Sequence, residues 1–420
     1  MDNPETRRIF AHMTADADII IVGGGLNGPA LALALSATGF QVTVVDALPR
    51  DTRDDRAFDG RAYALALASK RLLAAIGVWS QVADNAQPML DIKVTDGHVG
   101  APPSPFFMHF DHAEIEEGPM GFMVEDRHLR DALMTAMDDA DGITQVNGAA
   151  VIEQSTDRSG VSVTLDNGSM ITGRVLIGSD GRRSGTARRG GVKRTERDYG
   201  QTALVCALHH DLPHHGVAHQ VFMPPGPLAI LPLTGNRSSI VWSEKSDTAA
   251  SIQAMSPEDY LQVLRPRFGD FLGRIELAGQ RYTYPLNLSL ANALIAERLA
   301  LIGDAAHGLH PIAGQGLNAG LRDVGALAEV LTLAARRGED PGARDVLERY
   351  QQWRRFDTVT LALATDAFNR LFSNDNPLLR LGRDIGMGLV GSMPGLRRGF
   401  IREAAGLTGD LPRLMRGEAI

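Results

Sequence analysis

A single cysteine, Cys206, stands in a chain of 420 residues. An internal disulfide is therefore excluded, and such cysteine usage fits a reducing cytosol. Cys206 itself reads either as a reactive thiol or as an inert buried one. The chain has no apolar run of the roughly 20 residues needed to span a bilayer; its longest apolar stretches are broken by glycine, proline or charge. Met1 to Ala17 is polar and charged, without an apolar stretch of signal-peptide length. The expectation is a cytoplasmic protein, attached at most to the inner face of a membrane. Positive charge is also in deficit. A formal net charge of −8 removes nucleic acid from the main partners, because a polyanion needs a basic face. Neither a tandem repeat nor a low-complexity segment is present.

Recognisable catalytic sets are absent too. No Ser–His–Asp arrangement or carboxylate pair stands out, so no side-chain acid or base is assigned. His209, His210, His214, His215 and His219 invite a metal reading. Yet Asp211-Leu212-Pro213 among them is loop-like, and no carboxylate–histidine spacing on a helix supports a site. They read as a solvated loop, and no metal is expected.

What is present is an ordinary globular composition, 44% hydrophobic and 22% charged, in a chain long enough for two or three domains. Its most informative stretch is His310-Pro311-Ile312-Ala313-Gly314-Gln315-Gly316-Leu317-Asn318-Ala319-Gly320, followed by Asp323. Upstream, Gly303-Asp304-Ala305-Ala306-His307 closes the apolar run Leu299 to Ile302. The glycines and proline mark sharply turning backbone. Leu317 to Ala335 then has helical periodicity, so the glycines stand at a helix start, a natural seat for an electron-rich ligand. His310 reads as a structural residue of this turn.

A second glycine-rich turn lies near the start. Asp18 to Val22 reads as a buried strand running into Gly23-Gly24-Gly25-Leu26-Asn27-Gly28, with a helix from Pro29 to Thr38 and a second strand from Gln41 to Asp46. Gly23 allows the tight turn, Gly25 lets backbone approach a pyrophosphate, and Gly28 lets helix and strand pack closely. Asp46, eighteen residues past Gly28, is spaced to accept hydrogen bonds from an adenosine ribose. The motif points to an ADP-containing dinucleotide without choosing between NAD and FAD.

Between these turns, Arg61 precedes a helix at Ser69 to Ile76 and reads as a salt-bridge partner or as a group reaching a ligand. Asp126 reads as the cap of a helix running through Met137, with Arg127 in its first turn. Gly148 to Ser169 alternates like a hairpin or meander, and the buried strand Arg174 to Ile177 ends at Asp180-Gly181. Short strands (Ala203 to Leu208, His219 to Met223, Leu228 to Leu233, Ser238 to Trp242) suggest an antiparallel second domain. Glu258 to Phe271 reads as a helix kinked or broken at Pro266, and Gln280 to Leu286 as a strand.

The order of GxGxxG, Asp180-Gly181 and Gly303-Asp304 resembles the flavin-dependent aromatic hydroxylases. The stretch from His310 to Asp323 is similar, more narrowly, to the ubiquinone-biosynthesis hydroxylase family. So are Asp59-Gly60-Arg61 with Ala64-Leu65, Gly121-Phe122-Met123-Val124-Glu125 with Arg127, Gly226-Pro227 with Leu231-Pro232-Leu233, and Leu371-Phe372-Ser373-Asn374. The resemblance covers nearly the whole chain from Asp18, with Asp46 in place of the commoner Glu.

It implies a para-hydroxybenzoate-hydroxylase-like α/β fold: a Rossmann-like FAD-binding domain (16–80, 106–185 and 280–365), an inserted antiparallel-sheet substrate domain (81–105 and 186–279), a C-terminal helical region (366–420) and a disordered tail (1–15). It also implies FAD as cofactor. Gly23, Gly25 and Gly28 would hold the pyrophosphate and Asp46 the ribose; Arg61 and Arg127 would approach the flavin. Asp180 would serve FAD and nicotinamide contacts, and Gly303-Asp304 the ribityl–pyrophosphate portion. Pro311, Gly314, Gly316, Leu317 and Asn318 would lie against the isoalloxazine ring. The implied reaction is hydroxylation of a polyprenylated phenol in ubiquinone biosynthesis, by way of a flavin hydroperoxide, with NADPH or NADH as donor and dioxygen as co-substrate. Two alternatives stay open: a flavin-dependent prenyl-lipid reductase or dehydrogenase without oxygen insertion, and a non-catalytic flavin-binding scaffold of a biosynthetic complex.

From Arg370 to Ile420 eight arginines face five acids. Leu378 to Val390 resembles an amphipathic helix, broken at Pro394. This region fits attachment to a membrane surface, or packing against the FAD domain, a biosynthetic complex or a second copy in a homo-oligomer.

Overall fold

The computed structural model describes residues 15–53, 60–97, 107–308, 315–355, 357 and 393–420. Six short segments form one sheet: β1 (Ile19–Val22), β2 (Val42–Asp46), β3 (Ile143–Asn147), β4 (Val175–Gly178), β5 (Ile295–Ala296) and β6 (Leu299–Leu301), in the spatial order β5-β6-β4-β1-β2-β3. All pairings are parallel except β5 with β6. Ile19, Ile20 and Ile21 are fully buried, which is why β1 is an unbroken apolar run: a parallel sheet is covered on both faces. Each such isoleucine contributes about 2 kcal/mol of apolar burial.

Helix α1 (Asn27–Ser36) buries Ala30 to Leu35 on every side, as an all-apolar helix must. It packs against α2 (Asp126–Asp138) and α3 (Gln315–Arg336). Because β1 lies between β2 and β4, its carboxyl end is the point where strand order reverses, the place where open α/β sheets bind ligands.

The second layer is a nine-stranded sheet. Its centre is not the short strand expected at Ala203 to Leu208 but one strand of 17 residues, Arg194–His210. Thr195 to Asp198 are exposed, so charge hides the strand character there. A register shift between Asp198 and Gln201 then bends it, beside Gly200 at φ 63°. It pairs with Tyr282–Ala291, longer than the strand expected at Gln280 to Leu286, and with Arg237–Lys245. Leu228–Leu233, Val217–Phe222, Asp91–Asp96 and Phe107–Asp111 follow outward. Helices Ser246–Gln253 and Pro257–Phe268 cover one face, over Leu204, Cys206, Leu208, Ile240 and Trp242. Pro266 is accommodated in the last turn of the second helix rather than breaking it.

A three-stranded sheet of Ala62–Ala66, Gly121–Glu125 and Gln87–Met89 joins the two layers. Met89 and Met123 pack with Ala207, Ala218 and Leu233 of the nine-stranded sheet, while Leu65 and Val124 belong to the core of the parallel sheet. The meander expected at Gly148 to Ser169 is a separate three-stranded antiparallel sheet, Val151–Thr156, Val161–Leu165 and Met170–Gly173. At the C-terminus, Pro394 opens helix Pro394–Ala404 at a first-turn position, where its missing N–H costs nothing. The amphipathic segment at 378–390, the motif at 371–374 and residues 1–14 of the N-terminal tail lie outside the described residues.

Candidate functional site

The turn after β1 is built from glycines with different duties. A Cβ on Gly23 would stand 2.3 Å from the Ser179 carbonyl oxygen, and one on Gly28 only 2.0 Å from that of Gly23. Both positions are filled by the protein's own backbone. Gly25 is exposed and a Cβ there would meet nothing within 4 Å, so its open side leaves room for an outside molecule. No side chain caps α1 and no acid lies in its first turn, which leaves the positive end of the helix for an anion. Asp46 ends β2 beside this turn. Its Oδ2 accepts from Gly24 N and its Oδ1 from Leu48 N at 2.7 Å.

The turn after β4 packs its backbone onto Gly23. The Asp180 carboxylate faces its own turn: Oδ1 accepts from Ser184 Oγ, and Oδ2 from the Thr186 amide and hydroxyl, both at 2.9 Å.

Arg61 and Arg127 come together around two buried acids. Asp126 does not cap α2; Glu125 holds the cap position, and neither its side chain nor another makes a capping bond. The Asp126 carboxylate is drawn away by Arg61 Nη2 at 3.1 Å, Arg130 Nη2 at 2.7 Å and Tyr63 Oη, which donates at 2.8 Å. Glu125 faces Arg127 Nη2 and Arg237 Nη2, each at 2.7 Å. His128, 3.9 Å from Glu125, is held below the usual imidazole range by burial and by the Arg127 charge. Sequence separation hid Arg237, which reaches Glu125 from 112 residues away.

The second glycine-rich region is organised by Asp323, which is fully buried on α3. One of its oxygens, Oδ2, accepts from Gly303 N at 2.9 Å and from His307 Nε2 at 2.6 Å, so both ends of the 303–307 turn are clasped by a single atom. Oδ1 accepts from Arg354 Nε at 2.8 Å. Burial alone would push Asp323 up; His307 and Arg354 outweigh it and hold the carboxyl below its usual range. Asp304 receives Arg182 Nε at 3.0 Å.

Asn318 is a brace rather than an open amide. It accepts from Ala66 N and Ser69 Oγ and donates to Ala64 O, at 2.8 to 2.9 Å. A Cβ on Gly316 would meet nothing within 4 Å, and Leu317 packs against the core of the parallel sheet. His310, Pro311 and Gly314 lie outside the described residues. Asn27, which sequence reasoning passed over, joins the two glycine turns. A Cβ on Gly303 would stand 2.2 Å from its Nδ2, and one on Gly320 would stand 2.4 Å from the same atom.

The histidine group is not the solvated loop expected: His209 and His210 end strand Arg194–His210, His219 lies in strand Val217–Phe222, and His210 and His214 bond within the protein. His210 contacts Leu212 O at 2.7 Å and Ser238 Oγ at 3.0 Å; His214 donates to Leu233 O at 2.8 Å and accepts from Gly216 N. Burial pushes His219 down to about 4, and its ring lies tilted against Phe271 with centroids 4.5 Å apart. The Cys206 thiol is buried and pushed up to about 11, beside Tyr260 Oη at 3.6 Å.

Residues 16–360 match the model of the FAD binding domain family. The chain belongs to this family. It is 45% identical over 404 residues to ubiquinone hydroxylase UbiL of Rhodospirillum rubrum, covering 96% of this chain and 93% of that one. The 3-demethoxyubiquinol 3-hydroxylase of Escherichia coli is 33% identical over 395 residues, covering 93% and 98%. The crystal structure of p-nitrophenol 4-monooxygenase from Pseudomonas putida DLL-E4 superimposes with a TM-score of 0.77 at 20% identity, covering 93% of this chain and 98% of that one. That likeness establishes the fold. The family member described here is an FAD-dependent monooxygenase, with dioxygen as co-substrate and NAD(P)H as the donor typical of the family. The open side of Gly25, the uncapped α1 and Asp46 beside them fit the ADP half of FAD.

Proposed function

We propose that this monooxygenase hydroxylates the aromatic ring of a polyprenylated phenol in ubiquinone biosynthesis. The single observation that carries the reading is the 45% identity to a ubiquinone hydroxylase along nearly the full length of both chains. Bound FAD supplies the redox and oxygen chemistry. The residues supply its seat. Gly23 and Gly28 shape the turn, Gly25 and the start of α1 receive the pyrophosphate, and Asp46 accepts from the ribose. Arg61, just before the small sheet, and Arg127, in the first turn of α2, would face the flavin. Gly303, Asp304, Gly316, Leu317 and Asn318 would complete the seat together with Pro311 and Gly314 of the sequence motif, with Asp180 bracing the turn behind Gly23. The 2.8 to 2.9 Å bonds of Asn318 support a role for its side chain in fixing the start of α3, leaving backbone for the cofactor.

The parallel sheet with its helices is read as the FAD domain and the nine-stranded sheet as the substrate domain. Phe107–Asp111 and Tyr282–Ala291 belong to the latter because they pair within its sheet. No helix among the described residues is long and apolar enough to cross a membrane. We assign contact with a membrane surface or biosynthetic partner to the C-terminal region, where Met393, Leu396 and Phe400 are exposed.

The test is anaerobic. NAD(P)H with a polyprenylated phenol should bleach the bound flavin, and a flavin that stays oxidised under those conditions would remove the monooxygenase reading of this site.

A further inference from the structure

The small three-stranded sheet meets the nine-stranded sheet through apolar side chains, Met89, Met123, Ala207, Ala218 and Leu233. At the edge of this contact stands one buried carboxylate. Glu125, 2% exposed, ends strand Gly121–Glu125. Its Oε1 accepts from Arg237 Nη2 at 2.7 Å, and its Oε2 lies 2.7 Å from Arg127 Nη2. Arg237 opens strand Arg237–Lys245 of the nine-stranded sheet, and Thr234 anchors it there: Nη2 donates to Thr234 Oγ1 at 3.2 Å and Nε to Thr234 O at 3.3 Å. Arg127 lies in the first turn of α2, on the other side of the junction.

A carboxylate is costly to bury and is retained when its oxygens are matched by cations in fixed geometry. Here the two oxygens serve arginines from different layers. The planar guanidinium forks restrict where each partner can stand. Glu125 also occupies the cap position of α2 without capping it, so its side chain is committed to the arginines at the expense of the helix end.

We propose that Glu125 is a positioning residue: through Arg237 it takes its place from the nine-stranded sheet, and through its second oxygen it sets where the Arg127 guanidinium stands for FAD. The proposal rests on the reading of Arg127 as cofactor-facing. Substrate-sheet geometry is thereby passed to the cofactor side by one ion-paired side chain, with no direct contact between Arg237 and FAD required.

The test uses the full chain and FAD titration followed by flavin fluorescence, well below the unfolding temperature. Arg237→Gln should raise the FAD Kd about tenfold, within the range that coupled neighbours reach. Arg237→Lys, which keeps a cation at Glu125 Oε1, should recover most of that loss. Glu125→Gln should weaken FAD further, since it leaves two arginines without their acid. If that variant does not fold, Arg237→Gln with a native circular dichroism spectrum decides alone. A merely structural strut would lower the Tm of Arg237→Gln and leave the FAD Kd at the wild-type value, and that result overturns the proposal. So does a well-folded Arg237→Lys that binds FAD no better than Arg237→Gln. Wild-type protein that takes up no FAD would instead remove the flavin reading of the site, a separate failure.

Discussion

His307 Nε2 lies 2.6 Å from Asp323 Oδ2, and neither side chain has exposed surface. The same oxygen holds Gly303 N, and Arg354 holds the other. Asp323→Asn keeps the volume and loses the charge, leaving the buried Arg354 with only the partly exposed Asp357, 2.7 Å from its Nη1, as acid partner. It should cost about 2–4 kcal/mol of stability, toward the lower end for a broken buried pair because Asp357 stays at Arg354, and lower the flavin content of purified protein. The lowered Asp323 pKa also fixes a sign. Its stabilisation is complete above the ordinary carboxylate range and is lost as pH falls through the folded value, so the variant should lose that part of the acid-side decline. Thermal melts across acidic pH measure both effects.

The wedge formed by Asn27 makes a second prediction. Gly320→Ala in α3 would place a methyl 2.4 Å from Asn27 Nδ2 and 2.7 Å from its Oδ1. Overpacking of this kind costs about 1–3 kcal/mol. Asn27→Ala should suppress most of the loss, because it removes the atoms that clash. A double-mutant cycle by chemical denaturation tests this; independent, additive costs would contradict it.

Asn318→Ala should destabilise by about 2–4 kcal/mol, since it leaves the Ala66 amide, the Ser69 hydroxyl and the Ala64 carbonyl without their partner. Asn318→Asp keeps the two acceptor bonds and loses the donor, so it should fall between. Urea unfolding midpoints order the three proteins.

His219 gives a pH dependence of its own. Burial pushes it down to about 4 from a model-peptide value of 6.5, so the unfolded chain takes the proton first. Stability should fall between about pH 6.5 and 4 and level off below, by at most about 3 kcal/mol. His219→Gln should flatten that window in Tm-versus-pH curves.

Elements with strong local signals were readable from the sequence. The β1–turn–α1 unit announces itself through an isoleucine run, three spaced glycines and Asp46, and the elements form where that pattern puts them. Charge at Thr195 to Asp198 concealed half of the long strand, because exposed residues on a paired strand carry no apolar alternation. Pro394 opens a new helix, a first-turn role of proline that the sequence did not signal, whereas the segment before it lies outside the described residues. The site's supporting contacts were not legible at all. Glu125 meets Arg237, and Asn27 meets Gly303 and Gly320, only after folding brings distant segments together. Glycines near Asn27 look locally like turn residues, whereas Gly320 sits inside a helix and is needed for close packing.

Oxygen insertion into a prenylated phenol is read most directly from the product. Purified protein reconstituted with FAD should be given NAD(P)H, the phenol and dioxygen enriched in heavy oxygen, and the product examined by mass spectrometry. A ring-hydroxylated product should carry one labelled oxygen atom from dioxygen. NAD(P)H consumption with a product that gains no oxygen, or gains it only from water, would contradict that insertion.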